Sequence, residues 1–234
     1  MKRHARTEEV LPRGAGKAQA VEEMFDTIAP RYDLINRLMT FGMDHRWRRQ
    51  TVAALGLGGG ARVADLACGT GDLCDEIARA GLVPIGFDVS AGMLAAAHTR
   101  APLVRADVVT LPLPDGSVGG ATCGFALRNL TDLDAFLTEL ARVVRPEGRI
   151  ALLEVAEPSN AALRFGHRLY FTGVVPRIGA ALSDGAAYRY LPRSVAYLPP
   201  VGELVASVGK AGFADVSRRT MSGGVVQLIV GTRV

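Results

Sequence analysis

Three observations predict an α/β fold built on a doubly wound, mostly parallel sheet. Between residues 62 and 154, apolar runs of strand length alternate with amphipathic stretches of helix length. The first run, around Val63-Ala-Asp-Leu, leads through Ala-Cys-Gly-Thr-Gly into a helix that starts at Asp72, the strand–turn–helix order of a nucleotide grip. The second, Ile85-Gly-Phe-Asp88, ends in an acid about one helix and one strand further on. With 49% hydrophobic residues in a chain of 234, one substantial core can form, so the expectation is a single domain with additions.

Taken in order, residues 1–18 are polar and glycine-containing and predict a disordered arm ahead of a domain spanning 19–234. From about 20 to 57, Val21, Met24, Phe25 and Ile28, then Leu34, Ile35, Leu38 and Met39, recur at helical intervals around Pro30 and Gly42. This predicts a helical lid: a short helix, a Pro-bounded joint and two further helices. Strand 62–66, helix 72–80, strand 83–87, helix 91–98, strand 103–106, strand 119–124, helix 132–144 and strand 148–154 follow. Residues 158–199 break the regularity with Pro158, Pro176, Pro192 and Pro199 and read as a helical insertion. Helix 201–211 and strands 214–220 and 224–231, joined by Ser222-Gly-Gly, close the fold with an antiparallel C-terminal hairpin.

The net charge is +4, and Arg supplies nearly all of the 27 basic residues. These are spread along the chain without a basic run interleaved with aromatics, so no nucleic acid partner is expected. Cys68, Cys74 and Cys123 are odd in number and lack metal-ligand spacing, which predicts free thiols in a reducing cytoplasm and no metal. No charged-then-apolar leader opens the sequence and no run reaches membrane-spanning length, so the expectation is a soluble, cytoplasmic protein.

In doubly wound sheets, ligands lie beyond the carboxyl ends of the strands near the point where strand order reverses. Asp65, Asp88, Asp107 and the segment after 124 are therefore expected to converge. Gly69 and Gly71 allow a tight turn whose amides face the ligand, and Asp88 can accept from both hydroxyls of a ribose. A dinucleotide fingerprint has a third glycine where this chain has Cys74. Asp65 and Asp72 would repel a pyrophosphate, yet they suit a ligand bearing an ammonium and a positive sulfur. S-adenosylmethionine is such a ligand; NAD(P), and a turn with no ligand, are the alternatives.

Five segments then resemble one family: Val21-Glu-Glu-Met-Phe-Asp-Thr-Ile-Ala-Pro-Arg-Tyr-Asp-Leu-Ile-Asn36, Asp65-Leu-Ala-Cys-Gly-Thr-Gly-Asp72, Leu111-Pro-Leu-Pro-Asp115, Phe125-Ala-Leu-Arg-Asn-Leu-Thr-Asp132 and Arg145-Pro-Glu-Gly-Arg149. They are similar to the ubiquinone/menaquinone biosynthesis C-methyltransferases, from about Val21 to the C-terminus. Tyr188-Arg-Tyr-Leu-Pro-Arg-Ser-Val195 and Ser222-Gly-Gly-Val-Val226 also look like family segments. The resemblance implies a class I methyltransferase (Rossmann-like) fold. It also implies S-adenosylmethionine as cofactor, with S-adenosylhomocysteine as product, and methylation of a ring carbon of a prenylated quinol, demethylmenaquinol to menaquinol. Another small aromatic or polyketide-like acceptor is the alternative. Implied cofactor contacts fall on Thr70, Asp88, and Asp107 with Val108. Asp107 can accept from the adenine amino group and the Val108 amide can donate to a ring nitrogen, with the base lying against Val89 and Met93; a turn role for Asp107 stands beside this. Ala126 and Ile229 depart from the family pattern, which has Gly and His there.

For the chemistry, Arg128 is the candidate cation that draws out a quinolate, Asn129 would orient that anion, and Tyr32 with Asp33 belongs to the lid that excludes water. His45 is a candidate base, or with Trp47 a plain anchor for the helix after Gly42. A prenylated substrate implies transient contact with the inner face of the cell membrane. Residues 163–175, mixing Arg164, His167 and Arg168 with Leu163, Phe165, Leu169, Phe171 and Val174, suit an interfacial helix, or one packed on the core or on a second copy in a homodimer.

Overall fold

The computed structural model describes residues 15–175, 177 and 194–234. Strands β1 (Arg62–Leu66), β2 (Val83–Asp88), β3 (Leu103–Arg105), β4 (Val118–Gly124), β5 (Val144–Val155), β6 (Phe213–Met221) and β7 (Val226–Arg233) form one sheet in the order β3-β2-β1-β4-β5-β7-β6. Pairing is parallel from β3 through β5, and β7 runs antiparallel to both β5 and β6. The strand order reverses between β1 and β4. That crevice is where this topology leaves room for a ligand.

Helices cover both faces, which is why β1 and β5 read as continuous apolar runs rather than alternating ones. On one face α6 (Leu133–Val143) and α8 (Val201–Lys210) bury Phe136, Leu137, Leu140, Leu204 and Val208 against Leu66, Phe87, Ile150 and Leu152. On the other, α3 (Met43–Leu55) and α4 (Asp72–Arg79) bury Trp47, Leu55, Leu73 and Ile77 against Val63, Leu153 and Leu228. The first helices make a small core of their own: Ile28 of α1 (Ala15–Ile28) and Ile35 of α2 (Tyr32–Thr40) pack with Met24, Phe25, Tyr32 and Met39.

Three expectations shift in position. Helix α1 starts at Ala15, inside the segment assigned to the arm, and Lys17 is buried; residues 1–14 lie outside the described ones. The helix after β2, α5 (Ala91–Ala95), is capped by Ser90, whose hydroxyl accepts the Met93 amide at 3.0 Å, and ends before His98, whose amide donates to the Thr70 carbonyl at 3.2 Å. Strand β5 starts at Val144 rather than 148. Val144 pairs with Val118 and Arg149 with Gly120, so Arg145-Pro-Glu-Gly bulges out of the ladder. The insertion opens with α7 (Ala161–Leu169) and continues through a wider turn to Val174. Residues 176 and 178–193, with most of the 188–195 family segment, lie outside the described residues.

Candidate functional site

The glycine turn follows β1 at the crevice. Ala67, Gly69 and Gly71 take left-handed backbone, with φ of 53°, 56° and 92°. A Cβ at Gly71 would sit 2.4 Å from Cγ2 of Thr99, so shape and conformation both demand glycine there. Asp88 ties the turn to β2: its Oδ2 accepts the Gly69 amide at 2.8 Å and its Oδ1 the Ser90 amide at 2.9 Å. Asp65 is fully buried. Its Oδ1 accepts the Thr122 hydroxyl at 2.7 Å and its Oδ2 the Cys74 thiol at 3.6 Å, yet burial pushes its pKa up to about 7.

Two cavities open here. The first, of about 110 Å³, is lined by Asp65, Gly69, Thr70, Asp88, Val89 and Met93 from the sheet side, and by Phe25 from α1. A wall that combines the carboxylates of Asp65 and Asp88 with the apolar side chains of Val89 and Met93 fits a cationic nucleoside. Gly71 shapes the turn without lining the cavity. Asp107 and Val108 also lie off its wall: Asp107 is exposed and accepts the Val109 amide at 3.1 Å in a turn, and Val108 is buried in the core. Asp72 is not a free acid, since Arg48 pairs with it at 3.0 Å and with Asp44 as well.

The second cavity, of about 400 Å³, shares Tyr32, Arg48 and Phe125 with the first and is otherwise lined mainly by apolar side chains, among them Met39, Trp47 and Phe171. The short turn Leu127–Asn129 divides the two: Asn129 lines the first and Arg128 the second. Arg128 is buried in an ion pair with Glu154; its Nε donates to Ser194 Oγ at 3.2 Å, and its backbone amide donates to Glu154 at 3.2 Å. Those side-chain bonds use part of the guanidinium's five N–H donors and leave others for the cavity. Lys17 fixes the same turn from α1, donating to the Arg128 carbonyl at 2.9 Å and the Leu130 carbonyl at 2.7 Å, with its ammonium 3.8 Å from the Tyr197 ring centre. Burial lowers its pKa to about 8.

Tyr32 belongs to the wall between the cavities, and burial pushes its phenol up while a hydrogen bond with Asn36 opposes this. Asp33 ties α2 to the glycine turn by accepting the Thr70 hydroxyl at 2.7 Å. His45 lines neither cavity, whereas Trp47 lines the second and donates to Ser222 Oγ at 2.8 Å. Helix α7 lines the second cavity through Leu163, Gly166 and His167, and the wider turn after it does so through Tyr170 and Phe171, while Phe165 (72% exposed) and Leu169 (62%) are on the exposed side of the helix. Arg164 is held by the Pro158 and Ser159 carbonyls at 3.0 and 2.6 Å. Ile229 is buried opposite Leu152 in the core and lines neither cavity, so the departure there leaves both walls unchanged.

Sequence reasoning missed Lys17 and Glu154. An acid inside the apolar run Ile150-Ala-Leu-Leu-Glu-Val155 was a signal for the latter. Lys17, in a polar stretch, offered none.

The sequence profile of the ubiE/COQ5 methyltransferase family matches residues 14–233. Ubiquinone/menaquinone biosynthesis C-methyltransferase UbiE of Syntrophotalea carbinolica is 42% identical over 224 residues, covering 92% of this chain and 94% of that one. Demethylmenaquinone methyltransferase of Roseiflexus castenholzii is 41% identical over 233 residues, covering 96% and 98%. Among solved structures, a SAM-dependent methyltransferase from Aquifex aeolicus superposes with a TM-score of 0.57 at 17% identity, over 80% of this chain and 89% of that one. Phosphoethanolamine N-methyltransferase 2 of Haemonchus contortus, in complex with S-adenosylmethionine, does so with 0.58 at 14%, over 79% and 52%; both likenesses concern the fold. A glycine turn closed by two buried acids, a sheet order that reverses beside it and this extent of sequence match lead to one conclusion: the chain belongs to the ubiE/COQ5 methyltransferase family and is an S-adenosylmethionine-dependent methyltransferase of class I.

Proposed function

We propose that the enzyme methylates a ring carbon of a prenylated quinol, converting demethylmenaquinol to menaquinol. The observation that carries this reading is the large apolar cavity that joins the cofactor cavity across Tyr32, Arg48 and Phe125 and has a buried guanidinium, Arg128, in its wall. An apolar chamber suits a naphthalene ring with an isoprenoid tail, and a fixed cation suits the oxyanion that makes a ring carbon nucleophilic. The relatives named for menaquinone and ubiquinone biosynthesis support the same acceptor class.

When bound, S-adenosylmethionine supplies a methyl group on a positive sulfur. In this reading Asp88 accepts from the ribose hydroxyls, Asp65 faces the ammonium, and Gly69, Thr70 and Gly71 shape the turn around the methionyl part. Val89 and Met93 hold the adenine; Asp107 and the Val108 amide, which lie off the cavity wall, are read as meeting the polar edge of a base that extends past it. Arg128 stabilises the quinolate, Asn129 and Tyr32 orient the groups that meet between the cavities, and the lid excludes water. The outward residues Phe165 and Leu169 on α7, beside the exposed Phe41 and Arg168, are read as the face that meets the bilayer, because they adjoin the roof of the cavity that would receive the tail. No helix among the described residues is long and apolar enough to cross a membrane.

The test is incubation with labelled methyl donor and a short-chain demethylmenaquinol under reducing conditions. Label on the ring carbon is expected. Label on other small aromatics but not on the quinol would overturn the acceptor assignment.

A further inference from the structure

We propose that Gly166 is a specificity-determining residue: by carrying no side chain, it keeps open the mouth through which the acceptor's isoprenoid tail leaves the second cavity. The inference rests on reading that cavity as the acceptor site. Its lining residues divide by exposure. Trp47, Arg48, Arg128 and Val226 are buried and form the deep end, which joins the cofactor cavity at Arg48. Phe41 (76% exposed), Met43 (38%) and Leu163 (53%) line the same cavity yet face solvent. A residue that is wall and surface at once stands at the rim.

Contacts around that rim form a circuit. Met43 Sδ lies 3.9 Å from Ser222 Oγ, a Cβ built on Gly223 would lie 3.2 Å from Cδ1 of Leu163, and the Phe41 and Tyr170 ring centres are 5.8 Å apart. Tyr170 also donates to the Met39 carbonyl at 2.9 Å, which closes the seam between α2 and the turn after α7. Phe41, Met43, Leu163, Tyr170 and Ser222 carry no charge, so the opening suits hydrocarbon. At about 400 Å³ the chamber lies near the lower end of the roughly 300–1,000 Å³ of small-molecule sites. It takes a bicyclic ring and the start of a tail. The rest of a long polyisoprenyl chain must pass out through the mouth.

Gly166 is exposed and lies in the same wall. Ala162, Leu163, Gly166 and His167 share one stripe of α7 and all line the cavity, so a side chain at 166 would point the same way. Nothing lies within 4 Å of a Cβ built there, and its backbone is ordinary α-helix. Neither packing nor conformation therefore asks for glycine. Alanine is the better helix former at an exposed interior position, so the glycine weakens α7 with no return to the fold. What it leaves is open space at the rim, where a tail can run.

Gly166→Ala, Gly166→Leu and Gly166→Phe test this with a short-chain and a long-chain demethylmenaquinol in detergent micelles, beside thermal melts and calorimetry with S-adenosylmethionine. For the Leu and Phe variants, kcat/KM on the long-chain quinol should fall about ten-fold or more, while that on the short-chain quinol stays within about three-fold of wild type. The loss should enter through KM, with kcat on the short-chain quinol and cofactor affinity unchanged. Gly166→Ala should melt at or above the wild-type temperature and keep most of the long-chain turnover. A long-chain kcat/KM of Gly166→Phe within about three-fold of wild type, or an equal fall on both quinols, overturns the inference. So does a melting temperature lowered by Gly166→Ala, since the glycine would then serve the fold. Wild-type enzyme inactive on every quinol overturns the acceptor reading and this inference with it, whereas active wild type with variants that do not tell the two tails apart overturns this inference alone.

Discussion

Asp65 shows how one residue couples stability to ligand binding. Its folded pKa of about 7 lies above that of a free carboxylate, so its contribution to stability is complete below about pH 4 and is lost as pH rises through 7. A ligand ammonium favours the charged form and reverses that cost. Cofactor binding near pH 6 should therefore release up to about one proton, and affinity should rise with pH through 7. Calorimetry in two buffers of different ionisation enthalpy measures the release, and Asp65→Asn should abolish it. Arg128 couples in another way. Its ion pair with Glu154 is buried, so Arg128→Ala strands a carboxylate at a cost of about 3–5 kcal/mol, besides lowering turnover by about 10²–10³-fold. Adding Glu154→Gln should restore the melting temperature but not the rate. Recovered turnover in the double variant would remove Arg128 from the chemistry.

At the scale of the element, the glycine turn and the lid are the parts most open to test. Gly71→Ala forces a side chain into left-handed backbone and into Thr99, whereas a Cβ at Gly69 would meet only the flexible end of Met93 at 3.4 Å. The first should cost about 1–3 kcal/mol and a melting shift of several degrees, the second less. Equal melting temperatures would contradict this. Lys17→Met removes two hydrogen bonds that hold α1 on the Leu127–Asn129 turn, so amide exchange over residues 15–28 should accelerate and kcat should fall with cofactor affinity little changed. The strands and helices around Asp65, Gly71 and Asp88 were legible in the sequence because each rests on local pattern: an apolar run, paired glycines, a terminal acid. Lys17 was not. It sits in a polar stretch, and only the docking of α1 onto the Leu127–Asn129 turn gives it a role.

For the molecule as a whole, the doubly wound class of the sheet was readable from alternation, but the order of its strands and the pair of cavities were not. The cavities arise from the lid and α7 meeting over one end of the sheet, contacts between segments as distant as Met39 and Tyr170. The outward side of α7 belongs to the same scale. Phe165→Glu with Leu169→Glu should lower co-sedimentation with anionic vesicles at least ten-fold, about 1.4 kcal/mol, while leaving the oligomeric state unchanged. Unaltered sedimentation, or dissociation of a dimer instead, would assign that face to something other than lipid.

Because neighbouring residues of a single short turn line different chambers, and its carbonyls are clamped from the first helix, the proposed assignment of the chambers to donor and acceptor makes the two specificities mechanically geared. Widening one chamber by shifting residues 127–129 narrows the other. Acceptor range should therefore evolve through the roof and floor, at positions such as Leu163 and Val226, and not through the partition.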